Sequence, residues 1–141
     1  RDTCRLRPGV AGLSENIRVV SVVGRFLEHA RIYWFANGGD EEYFIGSADG
    51  MKRNLESRVE IVVPVEDAQL REQLREIFEE QLSRNRDTWE MQSDGTYVQS
   101  GSARLQKSCQ AELVAAAQKR AKRASRLRRR HLKGFARRPL R

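Results

Sequence analysis

Cysteine is scarce in this chain. Only Cys4 and Cys109 carry thiols among 141 residues. They stand far apart and without metal-ligand spacing. Two such residues make no disulfide framework, so a reducing cytoplasm is the expected compartment. Long apolar runs are missing too. No stretch reaches the ~20 residues needed to span a bilayer, and no signal peptide is visible. Acidic residues vanish from the last segment: positions 119–141 hold twelve Lys or Arg and no Asp or Glu. The other 118 residues carry 15 basic and 19 acidic side chains, so the formal charge of +8 describes a mildly acidic body with a strongly basic tail. Apart from Phe135 that tail lacks aromatic rings, which gives base stacking little support. The chain opens on Arg1 rather than Met and runs at once into strand-like sequence. It therefore reads as an excised piece of something longer.

What is present centres on His29-Ala-Arg-Ile-Tyr-Trp-Phe35, followed by Ala36-Asn-Gly-Gly39 and Tyr43-Phe-Ile-Gly-Ser-Ala-Asp49. The pattern predicts two apolar strands joined by a tight turn at Asn37-Gly38. Residues two apart on a strand share a face, so His29 and Arg31 are expected to project together, with Tyr33 beyond them. A proton-transfer group beside a permanent cation suits a site that handles phosphate. Trp34 and its neighbours alternate, so at least one ring is expected in the core.

Around this hairpin, residues 3–6 predict a short strand and Ile17–Val23 another, with a helix capped by Ser14 as the alternative for the latter. Gly24 marks a bulge or bend. Gly46 to Asn54 reads as a loop and Arg58–Val63 as a strand ended by Pro64. Asp67 caps a predicted helix to about Arg84, with Leu70, Leu74, Ile77, Phe78 and Leu82 on one stripe. Ser93-Asp-Gly95 signals a second hairpin between Thr88–Gln92 and Thr96–Gln99. A long Ala-rich helix begins near Ser102 and turns basic, with Gly134 and Pro139 near its end. The order predicts an α/β sandwich: a mixed sheet with helices packed on it. Residues 1–100 form the expected domain, and 101–141 a basic tail, helical or partly disordered.

Five segments occur in order at close spacing: Cys4-Arg-Leu-Arg-Pro-Gly9, Gly12-Leu-Ser-Glu-Asn-Ile-Arg18, Gly24-Arg-Phe-Leu-Glu-His29, Ser47-Ala-Asp49 and Met51-Lys-Arg-Asn54. Their combination resembles the C-terminal domain of bacterial polyphosphate kinases of the long-chain-synthesising type, over roughly residues 1–100. The resemblance implies a phospholipase D-like fold, whose His-x-Lys and Gly-Ser motifs are similar to His29-x-Arg31 and Gly46-Ser47. Arg31 stands where that superfamily has Lys, and Ala36 where it has Asp, which implies a degenerate site rather than a working phosphodiesterase. Gly50 stands where relatives often carry Trp. The resemblance further implies reversible transfer of the ATP γ-phosphoryl to polyphosphate through a phosphohistidine in a preceding domain, and a homo-oligomeric full-length enzyme. His29 and Arg1 would contact the nucleotide phosphates, with His29 a proton donor or acceptor. The 141 residues alone are expected to show no kinase turnover.

Arg1, Arg5 and Arg7 share one face if residues 1–7 are extended, and arginine grips phosphate oxygens in bidentate fashion. A charged edge strand is the plainer alternative. Arg18, Lys52 and Arg53 are further cations, divided between channel lining and plain surface. Ser47, Asp49 and Asn54 are expected to orient their loop by side-chain-to-backbone bonds. Asp40-Glu41-Glu42 is a charged turn rather than a metal site. Mg²⁺ is expected to arrive bridged by the phosphates of ATP or ADP. His131 is ordinary surface. The tail's cations suit polyphosphate, RNA or an anionic membrane surface, which leaves open a nucleic-acid partner and a peripheral membrane location. A polyanion-binding module is thus the alternative function, and a phospholipase D-like hydrolase a more distant one.

Overall fold

The structure, a computed structural model, describes residue 4 and residues 6–83, 85–100 and 108–135, with side chains as far as residue 128. Strand β1 (Val20–Val22) pairs antiparallel with β5 (Thr88–Met91), which pairs antiparallel with β6 (Tyr97–Gln99). A second sheet joins β2 (Ile32–Phe35), β3 (Glu42–Gly46) and β4 (Val62–Pro64), again antiparallel throughout. The α/β composition expected from the sequence is present, but the single mixed sheet is replaced by two antiparallel ones. The reason is pairing: β1 takes β5 as its neighbour, not β2.

The strands are shorter than the β-branched runs that signal them, because each ends where its partner ends. Gly46 N–H donates to Arg31 O at 2.9 Å and Ser47 N–H to Ile61 O at 3.0 Å, after which β3 turns away. Arg31 is thus the last residue bonded to β3, and His29 and Arg31 precede the strand instead of lying on it. For the same reason β4 begins at Val62 rather than Arg58, and Val59 is 98% exposed. Pro64 closes β4 from within, at an edge where its missing N–H is tolerated. The connection from β2 to β3 is six residues long rather than a two-residue turn. It contains a 3-10 turn over Asn37–Gly39, where Asn37 and both glycines take positive φ.

Two helices flank the sheets and a shorter one interrupts a loop. The expected loop between Gly46 and Asn54 contains the start of α1 (Lys52–Ser57). Helix α2 (Ala68–Leu82) begins where the sequence predicts: Asp67 accepts from Gln69 N–H and Leu70 N–H, both at 2.9 Å. Its apolar stripe is only half-covered, with Leu70 and Leu82 each 51% exposed. After α2, Asn85 is fully buried; its side chain donates to Ser83 O and accepts from Asp87 N–H, bending the chain into β5. The hairpin at 93–95 forms as its sequence indicates. Helix α3 (Cys109–Phe135) is continuous, and the predicted start near Ser102 lies outside the described residues.

The core is small: Tyr43, Ala48, Val65, Met91 and Cys109 are the buried apolar residues among those described. The ring expected inside from β2 is not buried: Trp34 and Phe35 are about half-exposed (46% and 53%) and Tyr33 is half-buried, while Tyr43 on the neighbouring strand fills the interior. Of the strand predicted over residues 3–6, Thr3 and Arg5 lie outside the described residues, and Cys4 and Leu6 carry no strand.

Candidate functional site

The segment between β1 and β2 has no strand partner, so side chains must fix it. Gln110, in the first turn of α3, does most of this. Its Oε1 accepts from Phe26 N–H at 2.8 Å, and its Nε2 donates to Phe26 O at 2.7 Å and Glu28 Oε1 at 2.8 Å. The amide thus completes the backbone of Phe26 as a neighbouring strand would. Gln81 of α2 donates to the other oxygen of Glu28 at 3.0 Å. Two helices therefore grip the residues just before His29. The same contact fills the space beside Gly24: a Cβ there would lie 2.4 Å from Gln110 Oε1, so the glutamine tip would have to move.

His29 is exposed at the end of this clamped segment. Arg31 does not project beside it as on a strand. Its guanidinium turns back: Nη1 donates to His29 O at 2.5 Å, while Nε and Nη2 donate to Asp49 Oδ1 at 2.9 and 2.5 Å. The pair is largely buried, with the two side chains 19% and 26% exposed. A guanidinium has five N–H groups, and these bonds use three. One N–H on each Nη is left over. Tyr33 leaves the cluster, its hydroxyl donating to Ala48 O at 3.2 Å.

Ser47, Asp49 and Asn54 are drawn to this place by the β2–β3 register. Ser47 Oγ accepts from Ile61 N–H at 3.1 Å, the side-chain-to-backbone bond expected of it. Asp49 and Asn54 bond to side chains instead: Asp49 to Arg31, and Asn54 Nδ2 to Glu60 Oε1 at 3.1 Å. The Ser47 hydroxyl donates to the other oxygen of Glu60. These two donors, the hydroxyl first, hold Glu60 below the usual carboxylate range, with smaller help from Arg58 and Arg31. Asn54 is 3% exposed, and its Oδ1 has no partner among the described residues.

The other predicted cations that the structure describes do not join the cluster. Arg7 donates from Nε to Ser93 O at 3.1 Å, tying down the second hairpin. Arg18, two residues before β1, forms a bidentate pair with Glu90 of β5 at 2.7 and 3.1 Å. Lys52 lies 3.7 Å from Glu56 within α1, and Arg53 is exposed on the same helix. Arg1 and Arg5 lie outside the described residues. Glu41 of the acidic turn accepts from Tyr43 Oη and Arg75 Nη2, and among the described residues no three His, Cys, Asp or Glu side chains converge.

Sequence reasoning missed Gln110, Gln81 and Glu60. Glu60 had a weak signal, as the polar member of Val59-Glu-Ile61. Gln110 had none, because its partner Phe26 is 84 positions away.

The family model of Polyphosphate kinase C-terminal domain 2 matches residues 1–112. A polyphosphate kinase of Synechocystis is 54% identical over 118 residues, covering 84% of this chain and 16% of the relative. One from Parasynechococcus marenigrum is 58% identical over 99 residues, covering 70% of this chain and 14% of the relative. The solved polyphosphate kinase of Porphyromonas gingivalis superposes with a TM-score of 0.68 at 39% identity, over 76% of this chain and 17% of that one. The chain thus spans about a sixth of the length of these relatives. It belongs to the polyphosphate kinase C-terminal domain 2 family.

Proposed function

We propose that this chain is the part of a polyphosphate kinase that presents His29 to the phosphates of ATP, in an enzyme that reversibly moves the γ-phosphoryl group onto polyphosphate. The observation that carries this is the clamped, exposed His29 whose backbone carbonyl is bonded to the Arg31 guanidinium. An imidazole titrates near neutral pH and can pass a proton to the oxygen released when the γ-phosphoryl leaves ADP. Arg31, fixed by Asp49, places its fixed positive charge near the charge that spreads over phosphate oxygens in a loose transition state. Its second role is positional, because the same group anchors His29. Mg²⁺ belongs to the substrate, bridged by the nucleotide's phosphates.

The covalent phosphohistidine of this scheme forms on a histidine outside the 141 residues. The sheet surfaces support a role within a larger body. Trp34, Ile45 and Val63 on one face of β2–β3–β4, and Phe35 and Val62 on the other, are each 44–54% exposed. A sheet apolar on both faces is the kind that other structure covers. A phospholipase D-like architecture completed by the rest of the enzyme accords with this.

The test is His29→Gln in the longer kinase that carries this segment. ATP-dependent polyphosphate synthesis should fall by at least about 10²-fold, the usual worth of a positioned acid or base. Phosphorylation of the reactive histidine from ATP should slow in parallel, with the melting temperature unchanged. Synthesis within twofold of the parent would show that the imidazole takes no part.

A further inference from the structure

Helix α3 continues to Phe135, whereas the family model ends at residue 112. Its 27 residues extend about 40 Å. Ser108, Cys109 and Gln110 are buried, but every residue from Ala117 to Arg128 is exposed. The helix is thus rooted at one end and exposed along its cationic half, where Lys119, Arg120 and Arg123 border a groove shared with Glu76 and Glu80 of α2. Arg120 pairs with Glu76 of α2 at 3.4 Å. Lys119, Lys122, Arg123 and Arg126 have no ion-pair partner among the described residues. They follow the three-and-four spacing of a single helical face and line one shallow groove of about 270 Å³ above Ala115. The same spacing continues in the sequence through Arg129, Arg130 and Lys133. Like charges so spaced repel and weaken the helix. A polyanion along the stripe would remove that repulsion.

The geometry points to this face as a docking track for a linear inorganic polyphosphate chain. This rests on the proposed kinase function, which supplies the polymer. Electrostatics alone would hold it: between Cys109 and Gly134 the helix has no Phe, Tyr or Trp on which a base could stack. A phosphate chain without bases suits such a surface better than a nucleic acid does.

The test compares the longer kinase with its K119Q/K122Q/R123Q/R126Q variant, glutamine being a good helix former. Long-chain polyphosphate and single-stranded RNA of matched charge are the probes, with binding read by anisotropy at several salt concentrations. Four phosphate contacts should add about 3 to the salt slope, so between 50 and 200 mM salt the parent should lose about 50-fold more affinity for polyphosphate than the variant. Polyphosphate should outcompete RNA, and turnover of ATP with a short primer should be unchanged in the variant. Equal salt slopes in the two proteins would overturn the proposal. So would RNA binding as tight as polyphosphate binding, which would make the face a nucleic-acid surface. A salt-slope difference of this size beside unchanged polyphosphate synthesis in His29→Gln would count against the catalytic reading alone.

Discussion

Replacing Gly24 by Ala probes the clamp directly. The new methyl carbon would stand 2.4 Å from Gln110 Oε1 and 2.6 Å from Gln110 Cδ. Such contacts are far inside van der Waals range, so the amide must move. A glutamine tip is flexible, yet this one makes three hydrogen bonds, one of them to the Glu28 carboxylate. Losing them costs about 2–4 kcal/mol at the usual net value of such bonds. Amide exchange by mass spectrometry reads this locally, without requiring the whole chain to unfold in one step. Exchange over residues 24–29 should accelerate between about thirtyfold and several hundredfold. Gln110→Ala alone should give an increase of the same size. The decisive measurement is the pair together: with the glutamine tip gone the methyl meets nothing, so the double variant should match Gln110→Ala to within about 0.5 kcal/mol. If Gly24→Ala is as harmful in the Gln110→Ala background as in the parent, the steric account is wrong.

Three further outcomes follow from the same geometry. Asp49→Asn leaves Arg31 largely buried without its counter-charge, so the His29 segment should lose about 1.5–3 kcal/mol of protection in exchange experiments, and polyphosphate synthesis should fall with it. Glu60 is held below its ordinary pKa, chiefly by Ser47 and then by Asn54. A carboxylate with a depressed folded-state pKa contributes stability above its unfolded pKa, near 4.5, and loses it as pH falls through the folded value. Protection of residues 47–54 should therefore weaken as pH falls below 4.5, and Glu60→Gln should flatten that dependence. Arg18→Ala breaks a partly exposed pair with Glu90, so urea unfolding should report less than about 1 kcal/mol; a hundredfold loss of kinase activity would instead return Arg18 to the substrate channel.

Features of the fold that depend on neighbours in the chain could be read from the sequence. Asp67 caps α2 because its carboxylate needs only the next three residues. The turn at Asp94-Gly95 works the same way: Asp94 accepts from Thr96 N–H, and Gly95 takes the positive φ the bend requires. The seven-residue run at Ile17–Val23 has strand propensity throughout, yet only Val20–Val22 pair, because that depends on β5 nearly seventy residues on. A run's composition states a preference for extended backbone, while its length in the sheet is set by a partner the run does not contain.

The candidate site divides along the same line. The chemical identities of His29, Arg31, Ser47 and Asp49 were legible because the residue types and their short spacing are local facts. Their arrangement was not, since it depends on which guanidinium bonds are already taken. Arg31 meets Asp49 across the β2–β3 hairpin, and that contact turns a projected second cation into the support of the histidine's own backbone. Gln110 lies further from legibility: nothing near it in sequence distinguishes it from Gln118, which is exposed eight positions later on the same helix. Only the approach of Phe26, whose N–H and C=O lie in no strand, makes one glutamine a clamp and leaves the other in solvent. An unpaired stretch of backbone beside a buried polar side chain is therefore the physical mark of this site.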